Sequence, residues 1–215
     1  MSGRPAAGGG RWIDVAPERL ARWVENFAAR HGDVTTDGLT VCADDGATAQ
    51  FEPPPGAVPV QHLDELVRTA GEPRRLGLLL ARKGAVAVGI ADGADLAVSK
   101  VDTHYVQGRT AAGGWSQQRF ARRRDNQAKA AAADGAAIAG RLLLPEVRTL
   151  QAVVAGGDRS AVDAILSAPA LAPVAALRAG RFLDVPEPRH AVLVAAIAQA
   201  RAVRILVREP CHSAG

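Results

Sequence analysis

Leu20, Trp23, Val24 and Phe27 recur at the three-and-four spacing of a single helix face. Pro17 suits the first turn of that helix and Gly32 is placed to stop it. Trp23 and Phe27 read as core, with a partner-binding face as the alternative. The period then shortens to two. Leu39-Thr-Val-Cys42 and Ala47-Thr-Ala-Gln-Phe51 flank Asp44-Asp45-Gly46, residues of a tight turn, and together predict a hairpin. Pro53-Pro54-Pro55 breaks the chain. A short helix is expected over His62–Ala70, closed by Gly71 and Pro73, and a boundary falls near residue 72.

Past that boundary the first apolar run is continuous. Leu76–Ala81 reads as a buried strand, while Val86–Ile90 and Asp95–Val101 flank the turn residues Ala91-Asp92-Gly93, so a three-strand meander is predicted. Ser116–Ala139 is rich in Gln, Arg and Ala and reads as helix. A strand at Gln151–Ala155 leads through Gly156-Gly157-Asp158 into a helix over Ser160–Leu166. Arg189–Ala202 reads as helix and Arg204–Val207 as a last strand. No internal repeat is visible. The expected fold is α/β (α+β), a mixed central sheet with packed helices plus a small N-terminal helix-hairpin extension. Its parts are a disordered Gly/Ala/Pro-rich tail at 1–10, a helix and hairpin region at 11–72, the main domain at 73–208 and a tail at 209–215.

Composition changes this picture little. Apolar residues make up 48% and charged residues 22% of 215, which is globular, and aromatics are only 4%, so the core must rest on Ala, Val, Leu and Ile. Charge adds more. The whole chain carries +4, yet seven cations and only two anions fall between Lys100 and Ala130, so the rest of the chain is close to neutral. A basic excess held in one segment suits a phosphate-rich partner; a solvated helix face is the plainer alternative.

Several chemistries find no support. Cys42 and Cys211 have no paired-ligand spacing, so neither a zinc site nor a disulfide framework is expected, and no cofactor or metal is called for. No apolar run approaches the ~20 residues of a membrane span. The opening MSGRPAAGGGR has no apolar stretch of a secretory signal, so a cytoplasmic protein without membrane contact is expected. There is no P-loop, no dinucleotide-binding glycine pattern after a strand, no nucleophile elbow and no H-E-x-x-H. His31, His62, His104, His190 and His212 are scattered, and Asp44-Asp45 reads as turn chemistry.

The segment Lys100–Arg124 carries the candidate chemistry. Gly108, Gly113 and Gly114 let backbone approach another backbone closely. Gln117 and Gln118 follow, and an amide has donors and an acceptor but no titratable proton, so it holds a water or carbonyl in place without acting as a base. The arginines behind them reach phosphates bidentately. A glycine-bearing tip with an amide, backed by a cationic helix, suits entry into an RNA cavity. A flexible surface loop before an ordinary basic helix is the alternative reading of the same residues.

With the meander before it and the Gln/Arg helix after it, this segment resembles the middle domain of eukaryotic and archaeal class I peptide-release factors. It is more closely similar to the release-factor-like peptidyl-tRNA hydrolase domain of ribosome-quality-control proteins and their stand-alone actinobacterial relatives. The similarity spans Gly77 to Val207. It includes Val98-Ser99-Lys100, the His104-Tyr105 pair, the Arg-rich helix with Asn126, and Phe182-Leu183-Asp184-Val185-Pro186. The resemblance implies a release-factor middle-domain-like fold for 73–208 as the catalytic domain. Gln117 matches the catalytic glutamine, with Gln118 as its rival, and Gly113 and Gly114 match the glycine tip. Lys100, Arg109, Arg119, Arg122, Arg123 and Arg124 match the basic surroundings that would meet rRNA and tRNA; Trp115 would stack on an RNA base or anchor the loop, and His104 would touch RNA or hold a hydrogen-bonded structural place. In the release factors the glutamine directly follows Gly-Gly; here Trp115-Ser116 intervene, as in the quality-control branch. The implied activity is release of a nascent chain by water attack on the ester of peptidyl-tRNA, on a stalled large ribosomal subunit, by a monomer. No codon-reading domain is evident. A non-catalytic ribosome- or RNA-binding factor is the alternative. A small-molecule α/β enzyme is a third class, and the missing acid/base constellation counts against it.

Overall fold

The computed structural model describes residues 3–82, 84–103 and 116–210; for 103 and 116–125 it describes the backbone path alone. The chain divides into two units, residues 1–73 with 198–215, and Arg74–Ile197.

The first unit is an antiparallel sheet carrying two helices. Its strands are β1 (Arg4–Pro5), β2 (Arg11–Val15), β3 (Val34–Asp37), β4 (Thr40–Ala43), β5 (Thr48–Glu52) and β11 (Val203–Arg208), in the order β1-β2-β11-β5-β4-β3. Alternation sets the inner face: Ile13 and Val15, Val203, Ile205 and Val207, Ala49 and Phe51, and Val41 are all buried. Helix α1 (Leu20–His31) lays Leu20 and Phe27 on that face, and α2 (Leu63–Thr69) adds Leu63 and Leu66. Gly32, at φ 89°, stops α1 by turning the chain where other residues are strained.

Two expectations are corrected here. The last strand was expected to close the 73–208 domain. It lies instead between β2 and β5 of the first unit, pairing Ile205 with both Ile13 and Phe51. Its apolar alternation fits any half-buried antiparallel sheet, so the pattern alone does not choose the partner. Residues 1–10 were expected to be disordered, yet Arg4 and Pro5 pair with Trp12 and Arg11, and the Ala6 N–H donates to the Gly10 carbonyl at 3.0 Å. Gly8, Gly9 and Gly10 all take positive φ, which folds the chain back tightly. Residues 211–215 lie outside the described residues.

The second unit is a five-stranded mixed sheet. The meander is β6 (Arg75–Arg82), β7 (Ala85–Asp92) and β8 (Asp95–Thr103); β9 (Ala152–Gly157) runs parallel to β6, and β10 (Arg178–Leu183) parallel to β9, in the order β10-β9-β6-β7-β8. Leu76–Ala81 and Ala152–Ala155 are buried throughout because helices lie on both faces, which explains their unbroken apolar runs. On one face α3 (Ser116–Leu143) and α4 (Arg159–Leu166) pack Ile138, Leu143, Val162 and Ile165 onto Leu79, Val88 and Val153. On the other, Leu193 of α6 (His190–Arg201) sits against Gly89, where a Cβ would come within 3.0 Å of its Cδ2. Strand β10 and the short helix α5 (Ala172–Ala176) were not foreseen.

Asp158 caps α4. Its carboxylate accepts the Ser160 N–H at 2.9 Å and the Ser160 hydroxyl at 2.8 Å, and the Ser160 hydroxyl bond is the main reason its carboxyl titrates below the ordinary value. Because the folded value is depressed, the stabilisation is present above the unfolded value and is lost as pH falls through the folded one. Asp158→Ala therefore lowers stability by about 1 kcal/mol at neutral pH. In urea titrations the gap from wild type narrows in acid, and a gap that widened there would contradict the cap.

Candidate functional site

The geometry around the basic segment begins with strand register. Val86 pairs with Asp102 and Val88 with Lys100, so Lys100 and Asp102 share the face of the sheet on which α3 lies. Lys100 is exposed on β8, an edge strand that ends at Thr103. Helix α3 starts at Ser116. Its first buried position among the described side chains is Gly135, where a Cβ would stand 2.7 Å from Ile165 Cδ1 and 3.3 Å from Val86 Cγ2. A residue without a side chain thus lets α3 press against α4 and β7 at once. N-terminal to that crossing the helix rises about 28 Å. Asn126 to Asp134 along it are exposed or half-buried.

Gln117 and Gln118 therefore lie in the first turn of a long helix anchored at its other end, with Arg119 next and Arg122, Arg123 and Arg124 one turn further on. The side chains of 116–125 are not described, and His104, Arg109, Gly113, Gly114 and Trp115 lie outside the described residues. Two physical features mark the α3 start. The first N–H groups of a helix have no partner within it, and they form its positive end. No acidic residue stands in the first turn to offset that charge.

Two other places hold polar chemistry. A depression of about 270 Å³ in the second unit is walled by alanines of α3 and α4, with Arg82, Asp158 and Ser160 at its rim. Asp158 is engaged there as a helix cap and titrates low, unlike a carboxyl held protonated for acid catalysis. In the first unit Asp45 accepts the Ala47 N–H at 2.8 Å and sits 2.8 Å from Nδ1 of His31. Asp45 read as turn chemistry from sequence. The turn is present, but the hairpin also brings it to the end of α1, a contact no local pattern signals. Among the described residues no group of three or more His, Cys, Asp or Glu could hold a metal ion, and no helix is long and apolar enough to cross a membrane.

A family model described as Actinobacteria/chloroflexi VLRF1 release factor matches residues 74–206. The chain belongs to the VLRF1 release-factor family. The match opens at Arg74, where the second unit begins, and takes in the whole of that unit, including β8 and α3. VLRF1 membership makes this a release-factor-like protein and draws the 104–115 segment and both glutamines inside the matched region. No curated protein matches the chain in sequence. Among solved structures, the crystal structure of archaeal translation termination factor aRF1 is 13% identical over 88% of this chain, at a TM-score of 0.40. This VLRF1 chain spans 66% of that factor's length. A second match, titled an archaeal protein, has the same identity and score and is covered over 74% of its length.

Proposed function

We propose that this VLRF1-family protein acts on the ribosome in the cytoplasm, as a monomer, hydrolysing the ester between a nascent peptide and tRNA on the large subunit. The observation that carries the reading is the family match over 74–206 together with the start of α3 at Ser116, immediately before Gln117 and Gln118. The second unit, Arg74–Ile197, holds the catalytic region, and 113–114 supply the glycine tip.

The ester is already reactive, so the protein's contribution is position. Gln117, through its amide or its backbone N–H at the helix start, holds the attacking water and meets the oxyanion of the tetrahedral intermediate. Gln118 is the alternative. Placement of this kind contributes up to roughly 7–11 kcal/mol, and one oxyanion donor roughly 3–4. Lys100, His104, Arg109, Trp115, Arg119, Arg122, Arg123 and Arg124 face rRNA and tRNA. The helix end free of acidic residues favours approach to phosphate-rich surroundings.

The test is peptide release from peptidyl-tRNA on isolated large subunits with the full-length protein. Release above the factor-free rate is expected. Tight subunit binding without release would establish a non-catalytic factor instead. A separate expectation concerns Arg122, Arg123 and Arg124. Replacing all three with Ala weakens binding to the subunit and flattens its dependence on salt by roughly 2 to 3 in log–log slope. An unchanged slope in a salt titration would remove these arginines from the RNA contact.

A further inference from the structure

The first unit has a groove of about 880 Å³ between α1 and β2. Its floor is apolar, with Ile13, Val15 and Val207 of the sheet and Trp23 and Phe27 of the helix. Its wall is cationic. Arg19 immediately precedes α1, and Arg22, Asn26 and Arg30 follow on it in steps of three to four residues, each about one helical turn, ~5.4 Å, so that Arg22 and Arg30 stand two turns apart.

The charges in this groove are not balanced. Both lining acids are already held by arginines outside the lining: Glu18 by Arg201 at 2.7 Å and Asp14 by Arg204 at 3.7 Å. Among the described residues, Arg19, Arg22 and Arg30 have no ion pair and are exposed. Three unopposed guanidinium groups in a row form a ladder for an anionic chain.

Two further observations indicate what kind of anion fits. Trp23 is half-buried, locked by stacking on Phe27 at 5.5 Å and by an edge contact to Phe51 at 5.6 Å, and it lines the groove. A rigid, partly exposed indole beside a row of arginines is the pairing that receives a stacked base next to its phosphate. His31 closes the α1 end with its side chain only 6% exposed, and its Nε2 has no hydrogen-bond partner among the described residues. Its Nδ1 is held by Asp45, so Nε2 is oriented. Glu209, outside the residues that line the groove, stands 3.8 Å from that Nε2 and 3.0 Å from Arg11.

We propose that this groove binds single-stranded RNA, its phosphates on Arg19, Arg22 and Arg30 and a base against Trp23. This is a second RNA contact, on the first unit and not on the one that holds the glutamine segment. It goes beyond the hydrolase reading and does not depend on it, because it is read with free RNA rather than with release.

The test uses full-length protein carrying Arg122→Ala, Arg123→Ala and Arg124→Ala, so that the α3 cluster does not mask the result. The probe is a fluorescein-labelled single-stranded RNA of about 12 nucleotides, within the ~4–16 that such surfaces engage. Adding Arg19→Gln, Arg22→Gln and Arg30→Gln is expected to weaken binding roughly tenfold or more and to lower the log–log salt slope by about 2. The same three positions changed to Lys keep the charge and retain the slope. Glu209→Gln removes a competing anion and frees Arg11, and tighter binding is expected. Equal affinity and slope for the Gln triple variant and its parent would overturn the proposal. So would preference for a polyglutamate peptide over the RNA, which would make the groove a protein-docking surface. Failure of the release assay alone would leave this result standing.

Discussion

Gln117→Ala slows peptide release on large subunits by about 10²–10³-fold while subunit affinity stays near wild type, the signature of losing one contact made only in the transition state. Gln118→Ala, by contrast, changes release little. Gln117 and Gln118 are the second and third residues of α3, so the backbone N–H of either falls in its first turn, and the expectation for Gln117 rests on its match to the release-factor glutamine. The amide and the N–H of Gln117 can be separated. Proline is tolerated in a first helical turn, so Gln117→Pro removes the N–H as well as the amide without breaking α3. A further loss in Gln117→Pro beyond Gln117→Ala assigns part of the oxyanion contact to the backbone. Equal rates for the two assign it to the amide. If Gln118→Ala is the variant that abolishes release, the roles of the two glutamines are exchanged. If neither matters and wild type still releases peptide, the positioned-water mechanism fails.

Gly157→Ala lowers the unfolding free energy by about 3 kcal/mol, combining ~1–2 for a left-handed non-glycine residue with ~1–3 for forced overpacking. Gly157 has φ 97°, and a Cβ there would stand 2.3 Å from the Ala81 carbonyl oxygen and 3.0 Å from its carbon. Neither atom can yield cheaply. Ala81 pairs with Gly157 at the end of the β6–β9 ladder, and the same carbonyl accepts the Asp158 N–H at 2.7 Å. Displacing it disturbs the parallel pairing and the cap of α4 together. At ~2–4 °C per kcal/mol for a chain of this size, thermal unfolding shifts down by roughly 10 °C. Gly180, whose Cβ would meet nothing within 4 Å, is the control, and Gly180→Ala is tolerated. Equal melting for the two variants would mean that the β6–β9 end relaxes freely.

Much of the second unit was legible because its rules are local. Leu76–Ala81, Val86–Ile90 and Asp95–Val101 have turn residues between them and form β6, β7 and β8 close to the expected bounds. The Gln/Arg/Ala run became α3, and of Gly156-Gly157-Asp158 the two glycines end β9 while Asp158 caps α4. Strand β10 was not legible, since Arg178-Ala-Gly-Arg-Phe-Leu has no alternation and becomes a strand only by pairing with β9. The glutamine segment could be singled out from sequence because its chemistry lies in adjacent residues; its side-chain geometry lies outside what the structure describes.

By itself, then, the sequence determined the longer helices and the strands β4 to β9 and β11, where the cations concentrate and which residues resemble the release-factor loop. Tertiary structure decided what depends on partners distant in the chain. It placed Val203–Arg208 at the middle of the N-terminal sheet, brought Asp45 to His31, and left Arg19, Arg22 and Arg30 without an ion pair among the described residues while Glu18 and Asp14 met Arg201 and Arg204. Periodicity states that a residue faces inward or outward but not against what, and both the pairing of a strand and the balance of a charge depend on that second fact.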